Sequence, residues 1–258
     1  MGGQILPPPG VVRPLVRRAV ALLGGNMDEL TLLRAACLAG PMHDASVQLC
    51  WIGDEAPPSR SLVRELALDS HLGDVSQEGL AELLDGGRLG TVMLAPTLWR
   101  QLGARLWRRL HRTTVYICRK ASLPPGSVLC CADSERTAVG LLDRLRVAMP
   151  DRTSFTLLRA LPPPPPWVPG LLAAVGCALP PEDDQPGCFP TTPGIPEVII
   201  RASAAEAAAA ACSELRPDLI VVGWHDHVLP LPGRWLHPTA WRLSRSSPSD
   251  VLLVPLDG

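Results

Sequence analysis

Histidine and aspartate side chains that could hold a metal concentrate in one short stretch, His225-Asp226-His227, with His237 ten residues beyond its last histidine. Imidazole and carboxylate groups are suitable zinc ligands, so this stretch is the first candidate for chemistry. Supporting ligand patterns, such as a His-x3-His pair on a helix or a Cys-x2-Cys pair, do not accompany it. We therefore interpret the stretch as a polar loop and predict no metal site.

Residues that could carry catalysis are not evident elsewhere. The sequence shows no nucleophile beside a base, no pair of carboxylates at a recognisable spacing and no Walker-type phosphate loop. We therefore predict that the protein is not an enzyme and has no catalytic residues.

The composition excludes several classes of protein. Of the 258 residues, 47% are hydrophobic and only 4% aromatic, so the core must consist mainly of alanine, leucine and valine, which is typical of α/β layers. No apolar run approaches the ~18 to 20 residues of a membrane span, and residues 1–10 do not resemble a signal peptide. The formal charge of −1 provides no general attraction for nucleic acid. We predict a cytoplasmic protein that does not span membranes and has no nucleic-acid partner.

The carboxy-terminal part of the chain predicts a strand-helix-strand unit. Leu219–Val222 and Val251–Val254 are short apolar runs that suit strands buried on both faces of a parallel sheet. About thirty residues separate them, which is enough for a loop and one helix. Parallel strands need such a crossover, so the sequence favours an α/β fold.

A first α/β domain is predicted over residues 18–120, after an amino-terminal arm over residues 1–17. The segment near Leu62–Leu68 fits either a third strand or a helix. The other predicted elements are strands Ala19–Leu23, Val47–Ile52, Thr91–Ala95 and Thr114–Cys118, and helices Met27–Ala39, Gln77–Leu84 and Leu98–Leu110.

A second domain over residues 127–258 repeats this order after a linker at residues 121–126. A proline-rich insertion, Leu161–Pro196, interrupts it, because proline continues neither a helix nor a central strand. Two halves of similar content indicate an internal duplication. The elements predicted before the closing unit are strands Ser127–Ala132, Ser154–Leu158 and Glu197–Ile200, and helices Glu135–Ala148 and Ala204–Leu215.

Four of these segments resemble the universal stress protein family. In the second half, Val128–Ser134 is similar to the family's first strand with its terminal aspartate, and Pro217–Gly223 is similar to the fourth strand. Ala19–Asn26 and Thr91–Pro96 are fainter equivalents in the first half. The resemblance implies tandem universal stress domains. Each would be a five-stranded, Rossmann-like parallel sheet flanked by helices, and the two would pack as a pseudo-dimer.

The resemblance also implies a nucleotide site in the second domain. Its candidate residues are Asp133 and Ser134, in the place of the aspartate that the family uses near adenine and ribose, and Gly223 and Gly233 in the loop that the family uses for phosphate. In that loop, glycines let backbone N–H groups approach the phosphates closely.

The phosphate loop departs from the family's pattern, Gly-x2-Gly-x9-Gly-Ser/Thr. Gly223 keeps the first position, but Asp226 takes the second and His237-Pro238 stands in the place of Gly-Ser. An aspartate repels phosphate, and proline has no N–H to donate. We therefore predict a vestigial site that binds no cofactor.

The helix over Leu98–Arg112 has a leucine stripe and an arginine face, which favours a surface helix packed on the sheet over a membrane-binding one. Trp99 and Trp107 on this helix are predicted to cover the sheet edge or a domain interface.

Buried, reduced thiols are predicted at Cys37, Cys50, Cys118, Cys130, Cys131 and Cys212.

Three functions are compatible with the sequence. The leading hypothesis is a non-catalytic regulatory or interaction protein of the universal stress type, acting on an unknown protein partner. One alternative is a stress sensor that binds ATP or AMP in the second domain through Asp133. A further alternative is a cytosolic regulatory subunit that attaches non-covalently to a membrane ion transporter. A homodimer is compatible with each of them.

Overall fold

Ten strands, paired into a single sheet, dominate the part of the chain that the structure describes. This structure, a computed structural model, describes residues 19–23, 47–51, 73–74, 91–100, 113–119, 125–149, 151–161, 194–224 and 238–256. The strands are β1 (Ala19–Leu23), β2 (Val47–Trp51), β3 (Gly73–Asp74), β4 (Thr91–Leu94), β5 (Thr114–Ile117), β6 (Ser127–Ala132), β7 (Ser154–Ala160), β8 (Glu197–Ile200), β9 (Leu219–Trp224) and β10 (Asp250–Pro255). The helices described over their whole length are α1 (Glu135–Ala148), α2 (Ala204–Leu215) and α3 (Pro238–Ser246).

The order of the strands repeats. Across the sheet it is β3-β2-β1-β4-β5-β10-β9-β6-β7-β8, so β6 to β10, counted from their outer edge, follow the same order as β1 to β5. All pairs within each set of five are parallel. The sets meet in one antiparallel pair, β5 with β10. The predicted α/β fold with a mostly parallel sheet is confirmed.

The continuity of the sheet differs from the expectation of two separate five-stranded sheets. β5 and β10 would each be an edge strand with unpaired N–H and C=O groups if the sheets were separate. Pairing them satisfies both edges at once, and a polypeptide that contains both strands needs no second molecule to do so. The sheet therefore runs through both halves of the chain.

Four elements of the second half, β6, α1, β8 and α2, have their predicted bounds. β7 extends two residues further, to Ala160, β9 extends to Trp224, and β10 is one residue longer at each end, Asp250–Pro255. In the first half, the third strand is Gly73–Asp74, outside the ambiguous segment Leu62–Leu68. The predicted helices Met27–Ala39 and Gln77–Leu84 lie outside the described residues, as does most of the proline-rich insertion.

The helices cover both faces of the sheet. Helix α1 packs on β6 and β9, whereas α2 and α3 pack against each other on the opposite face. A helix that begins at residue 96 and is described to residue 100 joins this second face, where Trp99 is fully buried. Apolar side chains of the strands on that face form one cluster across both sets: Val92, Leu94, Val115, Ile117, Leu129, Leu158, Ile220, Val222, Val251 and Leu253.

Candidate functional site

The candidate site lies where the direction of the chain's crossovers reverses. Strand β6 has β7 on one side and β9 on the other, and β9 in turn pairs with β10. The connection from β6 through α1 runs to β7, while the connection from β9 through α3 runs the other way, to β10. In open α/β sheets, the crevice at the carboxyl ends of two such strands is the usual place for a ligand. Here that crevice lies between the ends of β6 and β9.

Asp133 and Ser134 stand at the β6 side of the crevice. Both side chains are exposed, and both contact Thr137 in the first turn of α1. The Thr137 hydroxyl donates to Asp133 Oδ1 at 2.7 Å, and the Thr137 backbone N–H donates to Ser134 Oγ at 3.3 Å. Ser134 has extended backbone angles and is the N-cap of α1. Both residues therefore have a structural role at the start of this helix.

Gly223 stands at the β9 side of the crevice, beside the same threonine. A Cβ at this position would lie 3.2 Å from Thr137 Cγ2, so α1 packs directly against the end of β9. The structure thus brings Asp133, Ser134 and Gly223 together around Thr137, although they are far apart in the sequence.

Leu256 occupies the space above Gly223. A Cβ on Gly223 would lie only 2.5 Å from Leu256 Cδ1, a contact closer than van der Waals radii allow. A Cβ added at Gly140, one turn along α1, would meet Leu256 Cδ2 at 3.9 Å. The leucine side chain is therefore placed between the first turns of α1 and the end of β9. Glycine at position 223 is explained by this packing, independently of any ligand.

Arg144 holds the segment that carries Leu256. Its guanidinium donates a short hydrogen bond to the carbonyl oxygen of Pro255, the last residue of β10. Because Arg144 belongs to α1, this bond ties the end of the last strand to the helix that borders the crevice. Leu256 follows immediately and is itself half-buried.

The thiols of β6 are poorly suited to chemistry. Burial raises the pKa of Cys130 to about 12. Burial also raises the pKa of Cys131, with smaller contributions from Cys212 and Cys130. Thiols react as thiolates, so these groups stay protonated at neutral pH. The predicted reduced state of the cysteines holds for the four described ones, Cys118, Cys130, Cys131 and Cys212.

Residues 225–237, which follow β9, lie outside the described residues. That range contains Gly233, the fourth candidate binding residue, and the stretch His225-Asp226-His227 with His237. Their predicted roles, and the prediction of no metal there, are thus untested. Within the described ranges, no group of three or more His, Cys, Asp or Glu side chains is arranged to hold a metal ion.

A comparison with protein families identifies the second half of the chain. Residues 146–255 match the model of the universal stress protein family. This segment is similar to universal stress domains. It includes Gly223 and the strands β7 to β10, whereas Asp133 and Ser134 lie before its first matched residue. The resemblance predicted from the sequence is confirmed for this segment.

Solved structures resemble the matched segment and the first half together. A universal stress protein from Archaeoglobus fulgidus DSM 4304 superposes with a TM-score of 0.55 at 13% identity, covering 92% of this chain and 96% of that one. A protein of unknown function from Pseudomonas aeruginosa PAO1 superposes with a TM-score of 0.61 at 16% identity, covering 93% and 92%. At these identities, the likeness shows the fold alone. A comparison with curated proteins found no match.

Two residues of the site were not singled out in the sequence. Leu256 lies on the same face as Val254, and the apolar run of β10 resumes at Leu256 after Pro255, which was an available signal. Thr137 follows the N-cap by three residues, where a polar side chain often returns to the cap. Neither signal reveals that the two side chains meet at Gly223.

None of the helices in the described ranges is long and apolar enough to cross a membrane.

Proposed function

We propose that this protein is a non-catalytic regulatory protein of the universal stress type, in which the nucleotide site of the second domain is vestigial. The observation that carries the proposal is the position of Leu256 against Gly223, at the switch point between β6 and β9. A stress-related protein follows from the family of residues 146–255. The regulatory role and the loss of the site are our inference.

The packing around Gly223 disfavours a bound phosphate. Phosphate sites at strand ends rely on backbone N–H groups that a ligand approaches without obstruction. Leu256 lies against Gly223 from the side of α1, and Thr137 already uses its hydroxyl on Asp133. Asp226 and Pro238, in the sequence that follows β9, add a negative charge and remove a donor. Losing two charge-assisted hydrogen bonds at ~1.5 to 3 kcal/mol each weakens binding by a factor of hundreds or more.

The two halves are proposed to be tandem universal stress-like domains, over residues 18–120 and 127–258, that form a pseudo-dimer within one chain. The repeated strand order and the antiparallel contact of β5 with β10 support this arrangement. The linker predicted at residues 121–126 ends in packed structure, because Gly126 N donates to Asp218 Oδ2 at 3.0 Å.

Calorimetric titration with Mg-ATP and with AMP tests the vestigial site. We expect no saturable binding by the wild-type protein at millimolar nucleotide, and no change on Asp133→Ala. Leu256→Ala should also fail to bind, because the loop defects at Asp226 and Pro238 remain. Stoichiometric binding by the wild type would refute the proposal.

A nucleotide sensor is the second candidate function, favoured by one specific observation. Asp133, Ser134 and Gly223 do meet at the switch point, and Asp133 is exposed there. If nucleotide binds, Asp133→Ala should abolish binding, whereas Asp143→Ala, which removes an exposed carboxylate elsewhere on α1, should not. Equal loss in both variants would point to a general effect of charge instead of a site.

A regulatory protein without a ligand site acts through its surface on a partner. The partner proposed from the sequence is a protein, with a membrane ion transporter as one candidate. Affinity capture compared between membrane and soluble fractions separates these options. Capture of a transporter that survives detergent exchange would support the transporter, and capture confined to the soluble fraction would exclude it.

A further inference from the structure

The seam between the two halves of the sheet is the pair β5 with β10, in which Tyr116 lies directly opposite Leu252. A pair of antiparallel strands has a local two-fold axis at such a point. The axis relates each residue of β5 to the residue of β10 that is equally far along the chain from this pair, counted from Tyr116 in β5 and from Leu252 in β10. Thr114 therefore corresponds to Asp250, and Arg119 corresponds to Pro255.

A buried carboxylate lies in this seam. Asp250 is fully buried, as is the side chain of Tyr116. Tyr116 donates its hydroxyl hydrogen to Asp250 Oδ2 at 2.9 Å, and the backbone N–H of Arg119 donates to Asp250 Oδ1 at 2.6 Å. Each carboxylate oxygen is thus satisfied by a donor from the other half of the chain.

On the helical side of the seam, side chains of the first half likewise donate hydrogen bonds to groups of the second half. Arg119 donates through its guanidinium to the backbone oxygen of Ser244 in α3, and Trp99 Nε1 donates to Ser244 Oγ at 2.9 Å. The Trp99 ring lies 5.8 Å from the ring of Trp241, so these two side chains also join the first half to α3. Burial lowers the pKa of Arg119, Arg100 lowers it further, and Asp250 opposes both effects. In these four hydrogen bonds the donor belongs to the first half and the acceptor to the second.

We infer that the seam selects for the pairing of unlike halves, because Tyr116 and Arg119 of the first half supply a donor to each carboxylate oxygen of Asp250. If β10 paired with β10 of a second copy in the same register, Asp250 would face Leu252 and Pro255 of that copy. Leucine offers no hydroxyl group, and proline has no N–H. The buried carboxylate would then lose both of these donors, which is strongly unfavourable.

Pairing of β5 with β5 is also disfavoured, though less strongly. Thr114 would then stand in the place of Asp250, across from Tyr116 and the N–H of Arg119. A neutral hydroxyl is a weaker acceptor than a carboxylate, and it offers one oxygen atom where Asp250 offers two. The seam therefore acts as a partner-selective interface that keeps each half with its own chain. This inference depends only on the strand register and the contacts, and stands whether or not a nucleotide binds.

Cleavage of the folded full chain tests this selectivity. A protease site placed between β5 and β6 allows the halves to be separated after folding, and native mass spectrometry then counts unlike and like pairs. For the wild-type protein we expect unlike pairs almost alone. Asp250→Leu removes the carboxylate and should raise the ratio of like pairs of the second half to unlike pairs by about tenfold or more, as the loss of one buried hydrogen bond implies.

Leu253→Ala is the matched control. Leu253 lies opposite Val115 in the same seam, but makes no part of the polar network. Because it belongs to β10, it is present in the unlike pairs and twice in like pairs of the second half, so Leu253→Ala should not raise the ratio of like to unlike pairs. If cleaved wild-type protein gave like and unlike pairs in statistical proportion, or fell apart into single halves, the seam would not be selective. Asp250→Asn, which keeps the shape of the side chain, covers the case in which Asp250→Leu does not fold; it should shift the ratio in the same direction.

Discussion

At the scale of single residues, Gly223 shows how packing alone can require a glycine. A β-carbon there would lie 2.5 Å from Leu256 Cδ1 and 3.2 Å from Thr137 Cγ2. We expect Gly223→Ala to destabilise the protein by about 1 to 3 kcal/mol, the range found for overpacked positions. Chemical denaturation followed by tryptophan fluorescence measures this difference.

A double-mutant cycle identifies the cause of that destabilisation. In a Leu256→Ala background the closer of the two contacts, with Leu256 Cδ1, is absent. Gly223→Ala should therefore lower the free energy of unfolding by less than it does in the wild type. Gly140→Ala is the matched control, because a β-carbon there is 3.9 Å from Leu256 and meets only ordinary contact. Additive effects of Gly223→Ala and Leu256→Ala would show that Leu256 is not the obstacle.

At the scale of elements, the start of α2 shows how one side chain makes helix stability depend on pH. Glu206 accepts from the hydroxyl of Ser203 at 2.6 Å and from its backbone N–H at 3.2 Å, and these bonds lower the pKa of Glu206 below its ordinary value of 4.5. A lowered folded-state pKa means that the stabilisation is complete above the ordinary value and is lost as the pH falls through the lower, folded-state value.

We therefore expect Glu206→Gln to be less stable than the wild type at neutral pH, with a difference that shrinks as the pH falls below 4.5. Unfolding curves of both proteins across this pH range measure it. Glu214→Gln removes the same charge at an exposed position near the other end of α2, away from the Ser203 cap, and so controls for the change in net charge. A difference between Glu206→Gln and the wild type that stays constant with pH would contradict the assignment.

At the scale of the whole molecule, the apolar cluster runs without a break from β4 and β5, through β10 and β9, to β6 and β7. Shared burial of this kind couples the stability of the two halves. We expect a single cooperative unfolding transition, with coincident curves from tryptophan fluorescence and far-ultraviolet circular dichroism. Solution scattering should likewise report one particle.

Asp250→Asn provides the contrast for this prediction. It weakens the link between the halves at the seam without changing the apolar cluster. The transition should move to lower denaturant concentration while staying single. Two separate transitions in the wild-type protein would show that the halves fold independently in spite of the continuous sheet.

The sequence by itself determined the elements of the second half and their class. The bounds of β6, α1, β8 and α2 were predicted as they occur, because apolar periodicity, caps and proline act over a few neighbouring residues. The residues that line the switch point, Asp133 and Gly223, could also be chosen, since each ends a recognisable strand. β3, only two residues long, carries too little pattern to be predicted with the same method.

Only the tertiary structure decided what those residues do. The contact of Leu256 with Gly223, and the bonds of Asp250 with Tyr116 and Arg119, join positions that the sequence keeps far apart. Such contacts depend on strand register and on how α1 sits on the sheet, and a shift of one residue in register would turn each side chain to the other face. Local patterns contain no information about that register. The packing of Leu256 against Gly223, and the hydrogen bonds from the first half to Asp250, therefore form only when the whole sheet is assembled.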